Sequence, residues 1–283
     1  MEVNFQILIG MRAEARKGMY MKILGLDSSG LVASVAVVEN DVLLAEYTTD
    51  YKKTHSQTLL PMLEELRNMI ELDMETIDAI AVASGPGSFT GLRIGSATAK
   101  GLGLALDRPV VEVPTLEGLA WNLWGTDCLV CPLMDARRNQ VYAAAYEFRA
   151  EGADFRLSTV IGQVPIDIVE LICKINALQR EVIFLGDGLP VYLPVIKGQI
   201  KVPFRLAPAG CNRQRAASVA ALGAVYYACG KTVEAAAHQP VYLRKSQAER
   251  EAEHKESAAN ERNGFSGKRL GQCISESKDQ NGK

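Results

Sequence analysis

Three β-rich runs open the patterned part of the chain, Lys22 to Leu26, Val32 to Val38 and Val42 to Tyr47. Asp27-Ser28-Ser29-Gly30 and Glu39-Asn40-Asp41 separate them, so they read as an antiparallel meander. From His55 to Ile70 the period changes: Leu59, Met62, Leu63, Leu66, Met69 and Ile70 recur at helical spacing while Glu64, Glu65 and Arg67 face away. A strand over Asp78 to Ala83 follows, broken by Gly85-Pro86-Gly87, and then a helix for which Ser88 or Thr90 can serve as N-cap. In that helix Gly91, Gly95, Ala99 and Gly103 recur every four positions and share one face. Each glycine costs about 0.5 to 1 kcal/mol relative to alanine, so something must approach this bare face closely enough to offset the loss. The protein's own sheet and a partner's helix are both candidates. A phosphate at the helix start is a third, although the loop lacks a P-loop's Gly-Lys-Ser/Thr ending.

The pattern then repeats. Arg108 to Val113 predicts a strand and Thr115 to Trp124 a helix capped by Thr115; Leu129 to Met134, Asp135-Ala136-Arg137-Arg138 and Gln140 to Phe148 restate strand, Asp turn, strand. Aligning Asp27 with Asp135 also sets Glu39 opposite Glu147. After a less patterned stretch with a helix over Pro165 to Ala177, the strand Glu181 to Leu185 ends in Gly186-Asp187-Gly188, as the earlier strand ends in glycines. One divergent duplication explains this order and predicts two similar α/β lobes with a cleft between them. An Ala-rich helix over Gln214 to Gly230 and a short extended segment, Pro240 to Arg244, complete the fold. The expected organisation is an extension outside the fold at 1–20, a first lobe at 21–118, a second at 119–244 whose last helix packs back on the first, and a disordered polar tail at 245–283.

Composition narrows the class. At 48% hydrophobic and 23% charged residues the chain can bury a sizeable core, and a net charge of -2 argues against an independent electrostatic grip on nucleic acid. Cys128 and Cys131, three apart on a strand, point to opposite faces, which suits neither a metal site nor a disulfide and favours free thiols in a reducing compartment. No apolar stretch is long enough to cross a bilayer. Asp27, Asp135 and Asp187 end predicted strands, where α/β folds place ligands, so they could hold magnesium; each is equally a turn residue, and the bulky Arg137 and Arg138 crowd a phosphate cradle. His55 could ligate a metal, but the residue four further on is Leu59, so one ligand stands without its partner.

Four segments, Ile-Leu-Gly-Leu-Asp-Ser-Ser at 23–29, His-Ser-Gln-Thr-Leu-Leu-Pro at 55–61, Ser-Gly-Pro-Gly-Ser-Phe-Thr-Gly-Leu-Arg-Ile-Gly at 84–95 and Asp-Ala-Arg-Arg at 135–138, closely resemble the bacterial TsaB (YeaZ) family. The resemblance spans about Met21 to Arg244. It implies a two-lobed, duplicated fold of the actin, sugar-kinase and Hsp70 type, RNase H-like in each lobe. It also implies a cytoplasmic, non-catalytic subunit of the tRNA threonylcarbamoyladenosine machinery. The catalytic paralogue TsaD holds its metal with a His-x-x-x-His helix, and Leu59 stands where the second of those histidines would be. The resemblance further implies a heterodimer with a TsaD-like paralogue, an accompanying TsaE-like ATPase, a homodimer when alone, and contact with tRNA only through the complex. No cofactor is expected on this chain, with ATP and metal on the partners. The expected interface is the helix pair, with His55, Leu59, Met62, Leu63, Leu66, Gly91, Leu92, Gly95 and Ala99 in contact; Arg93 reads either as reaching a partner carboxylate or as a solvated arginine at the helix start. Two rival readings are a metal-dependent, glycoprotease-like hydrolase using His55 and Asp27, and an autonomous ATP-binding enzyme of the sugar-kinase kind.

Overall fold

The computed structural model describes residues 21–51, 54–152 and 154–244; the extension expected at 1–20 and the tail expected at 245–283 lie outside them. Strands β1 (Lys22–Asp27), β2 (Ala33–Glu39) and β3 (Val42–Thr49) form the antiparallel meander, and β4 (Ala79–Gly85) and β5 (Val110–Pro114) extend it in parallel on the other side of β1. The order is β3-β2-β1-β4-β5. Helix α1 (His55–Met69) makes the connection from β3 to β4, and α2 (Phe89–Leu106) that from β4 to β5. Both cover one face of the sheet, where Leu24, Leu26, Val35, Ile80 and Val82 meet Leu59, Leu63 and Leu66. Because the other face is covered too, β1 and β4 read as continuous apolar runs instead of alternating ones.

The second sheet repeats the first. Strands β6 (Leu129–Asp135), β7 (Gln140–Glu151), β8 (Asp154–Asp167), β9 (Val182–Leu185) and β10 (Phe204–Leu206) pair in the order β8-β7-β6-β9-β10, antiparallel through β8, β7 and β6 and parallel through β6, β9 and β10. Its crossovers are α4 (Ile168–Ala177) and α5 (Leu189–Gln199), and between the sheets lies the short α3 (Thr115–Ala120). A final helix, α6 (Ala216–Ala228), packs Val219, Ala220 and Leu222 on the free face of the first sheet, against Ile23, Ala81 and Val111.

Four expectations from sequence are corrected here. The helix placed at Pro165 starts at Ile168, because Pro165 to Asp167 finish β8 and Asp167 caps the helix by accepting a 2.8 Å bond from the Val169 amide. The rest of β8 looked unpatterned because it is an edge strand carrying Gly162 and Pro165, both tolerated there. Thr115 does not cap its helix; its hydroxyl accepts from the Gly85 amide at 3.0 Å and joins the end of β4 to the start of α3. Lastly, a division at 118/119 cuts α3, whose Leu116, Leu119 and Ala120 pack with Val130, Tyr146 and Leu185 of the second lobe. Cys128, just before β6, and Cys131 within it do join different core clusters and are free thiols. No helix among the described residues is long and apolar enough to cross a membrane.

Candidate docking helices and the cleft between the lobes

The bare face of α2 turns inward. A Cβ at Gly91 would collide with the Ser28 carbonyl oxygen, one at Gly95 would lie 2.6 Å from Ser28 Oγ, and one at Gly103 2.7 Å from the Ala235 Cβ. The glycine spacing therefore seats the helix on the turn after β1, fixed by a 2.9 Å bond from the Ser28 hydroxyl to the Gly91 carbonyl. Ser88 caps the helix, accepting from the Gly91 amide at 3.3 Å. These contacts correct the interface expected from sequence. Leu59, Met62, Leu63, Leu66, Gly91, Leu92, Gly95 and Ala99 are all buried in the protein's own first lobe, and His55, half-buried, bonds the Gly30 carbonyl through Nε2 at 2.9 Å. The spacing revealed a close approach but not which neighbour makes it; that neighbour is the Ser28 turn after β1 and, at Gly103, Ala235.

What the helix pair shows to solvent is different. On α1 it is Leu60, 54% exposed, with Pro61, Glu64, Glu65 and Met69; on α2 it is Arg93, Ala97, Gly101 and Ala105, again every four residues, beside Leu104, 59% exposed. A Cβ at Gly101 would meet nothing within 4 Å. So α2 is small on both sides, inward to fit the sheet and outward onto open space. Arg93 does not reach out alone: its guanidinium lies over the Phe89 ring at 4.1 Å, and its Nε donates to the Tyr242 hydroxyl at 3.3 Å. Tyr242 is 149 residues further along the chain. Nothing local in the sequence links the two, so the contact was not foreseeable.

The three aspartates do converge on the cleft between the lobes. A cavity of ≈ 600 Å³ there is lined by Ser29, Gly30, His55, Ser88, Asp135 and Asp187, among others. Asp27 lies beneath it, and burial pushes its carboxyl up to about 6 against bonds from the Ser29 amide and hydroxyl at 2.9 and 2.7 Å. Asp187 is also raised, by burial first, and accepts from the Asp135 amide at 3.4 Å. Asp135 accepts from the Arg137 amide at 2.8 Å and the Tyr192 hydroxyl at 3.1 Å. Asp27 and Asp135 thus each close a local turn while Asp187 ties the end of β9 to the end of β6, and the two that burial drives toward protonation make poorer cation ligands for it. Arg137, Arg138 and Asn139 all have positive φ, giving a left-handed corner whose exposed arginine side chains occupy the place of a small-residue phosphate loop. Among the described residues no three His, Cys, Asp or Glu side chains gather closely enough to hold a metal ion.

Two sheets of one strand order, each with crossover helices and a cleft between them, define a duplicated two-lobed α/β protein of the class shared by actin, sugar kinases and Hsp70. A family model described as "TsaD: tRNA N6-adenosine threonylcarbamoyltransferase" matches residues 42–252. The tRNA threonylcarbamoyladenosine biosynthesis protein TsaB of Bacillus subtilis is 33% identical over 232 residues, 81% of this chain and 96% of that protein. TsaB of Escherichia coli is 29% identical over 236 residues, 79% and 95% of the two chains. Among solved structures, YeaZ from Pseudomonas aeruginosa superposes with a TM-score of 0.62 at 29% identity, covering 79% of this chain and all of that one. The chain belongs to the TsaB (YeaZ) family.

Proposed function

We propose that this chain serves tRNA threonylcarbamoyladenosine biosynthesis in the cytoplasm as a non-catalytic docking subunit, gripping a TsaD-like paralogue through the outward faces of α1 and α2. The observation that carries the reading is the exposed strip of Ala97, Gly101, Leu104 and Leu60, small or apolar and with open space above Gly101. Small residues let two helix backbones approach closely, and the flanking leucines supply apolar area at about 25 cal/mol per Å² buried. In this reading a TsaE-like ATPase joins the pair, a second copy of the chain takes the face when TsaD is absent, and tRNA is met only through the complex. ATP and metal belong to the partners. The site chemistry supports that division: Leu59 sits in the core, and the His55 Nε2 is engaged by a backbone carbonyl of its own lobe.

The decisive substitution lies at Gly101, since Gly95 is internal. Gly101→Leu should melt like the wild type but fail to co-elute with TsaD in size-exclusion chromatography of the mixed subunits. A wild-type complex from this variant would refute the docking face.

A further inference from the structure

The outward strip carries one cation that is set in place before any partner arrives. Phe89 opens α2, and one turn later the Arg93 guanidinium covers its ring. On the same ring lies Tyr242, with centroids 4.8 Å apart and planes tilted by 37°, and its hydroxyl accepts from Arg93 Nε. Tyr242 is brought there by a strap that returns along the first lobe after α6. Val233 bridges Val110 in both directions at 2.9 Å, the His238 imidazole meets the Glu112 carboxylate at 2.7 Å, and the Val241 amide donates to the Ser84 carbonyl at 2.7 Å. An exposed arginine ordinarily samples many rotamers, and ordering it on binding opposes association. Here the ordering is done within the subunit.

Arg93 also lacks what other ordered arginines of this protein have. Arg149 and Arg180 share the Glu147 carboxylate, Arg205 has Glu181, Arg213 has Asp50 and Arg215 has Glu46. Among the described residues Arg93 pairs with no carboxylate, and only its Nε donates, so both terminal nitrogens of the fork are left to offer. A planar fork with two free ends matches a carboxylate in bidentate fashion. Its surroundings favour a protein over a nucleic acid: Glu64 and Glu65 are exposed beside Arg67 on the neighbouring helix, so charges of both signs meet there, and Arg93 and Arg67 amid Ala97, Leu60 and Leu104 are no basic stripe.

We infer that Arg93 is the polar anchor of the docking face and Tyr242 its positioning residue, and that the occupant is a protein helix surface presenting an Asp or Glu carboxylate opposite the first turn of α2. This inference rests on the outward faces of α1 and α2 being the docking surface. It makes the strap near the end of the fold, far from α2 in sequence, part of partner recognition.

The test is calorimetric titration of the full chain with purified TsaD from the same organism, at several salt concentrations. Arg93→Ala should weaken binding by about ten- to a hundredfold and flatten its salt dependence. Arg93→Lys, which keeps the charge without the fork, should recover only part. Tyr242→Ala should weaken binding by about three- to tenfold, yet add nothing when combined with Arg93→Ala, as expected if it acts through Arg93. Wild-type affinity in Arg93→Ala, or full additivity of the two substitutions, would overturn the assignment. So would loss of tRNA binding by Arg93→Ala with TsaD binding intact. Should Gly101→Leu abolish binding while Arg93→Ala does not, the anchor falls and the docking face stands; should Gly101→Leu bind normally, the face itself falls.

Discussion

Gly95 and Gly101 are the same residue on the same helix, six positions apart, and the chain uses them in opposite ways. At Gly95 a side chain would strike Ser28; at Gly101 it would enter open space. Their spacing was legible in the sequence, but periodicity reports only that a face is smooth, not what lies against it. Asp27 shows the same limit. Its place in a turn was readable, whereas its deep burial, and hence its raised pKa, depends on α2 and the second lobe closing over it. That burial predicts a pH dependence. Unfolded, the carboxyl titrates near 3.8; folded, near 6, so between these values the native state binds more protons and stability falls as pH rises. The span corresponds to about 3 kcal/mol. Denaturant melts from pH 4 to 7 should show Asp27→Asn gaining on the wild type by up to that amount as pH rises. A difference that stays flat across the window would mean that Asp27 is not held in this environment.

At the scale of elements, α6 depends on residues far from it in sequence. Its first amides are satisfied by the first sheet: Ala216 donates to Ser34 Oγ at 2.9 Å and Ala217 to Glu46 Oε1 at 3.1 Å, while Arg215 pairs with the other Glu46 oxygen. Glu46→Ala should therefore cost about 2 to 4 kcal/mol of unfolding free energy, and Glu46→Gln, which keeps an acceptor for Ala217, roughly half of that. Equal losses for the two variants in urea denaturation would show that the cap contributes nothing. The helix itself could be read from its alanines, but not the reason it sits where it does. Elements with a strong period, such as α1, or an unbroken apolar run, such as β1, were plain from the chain, and α5 and β10 were missed. Leu189, Tyr192 and Ile196 of α5 do keep helical spacing, but Pro190, Pro194 and Gly198 interrupt the signal, and β10 has only three residues.

Over the whole molecule, the duplication was the most legible feature, because a repeated order of strand, Asp turn and strand survives even where the side chains diverge. The two copies have different surroundings: α6 lies on the first sheet, and the first lobe's helix pair keeps an outward strip of small and apolar residues. At the cleft the fold brings Asp135 and Asp187 into the lining and buries Asp27 beneath it, and each carboxylate accepts from a backbone amide of this chain.

The sharpest check is reconstituted tRNA modification, read as threonylcarbamoyl incorporation in reactions that contain TsaD, TsaE, ATP and a threonylcarbamoyl donor. A non-catalytic docking subunit should give no product alone, product when it is added to the others, and loss of that product with Gly101→Leu. Product from this chain alone, or undiminished product when it is left out, would contradict that role.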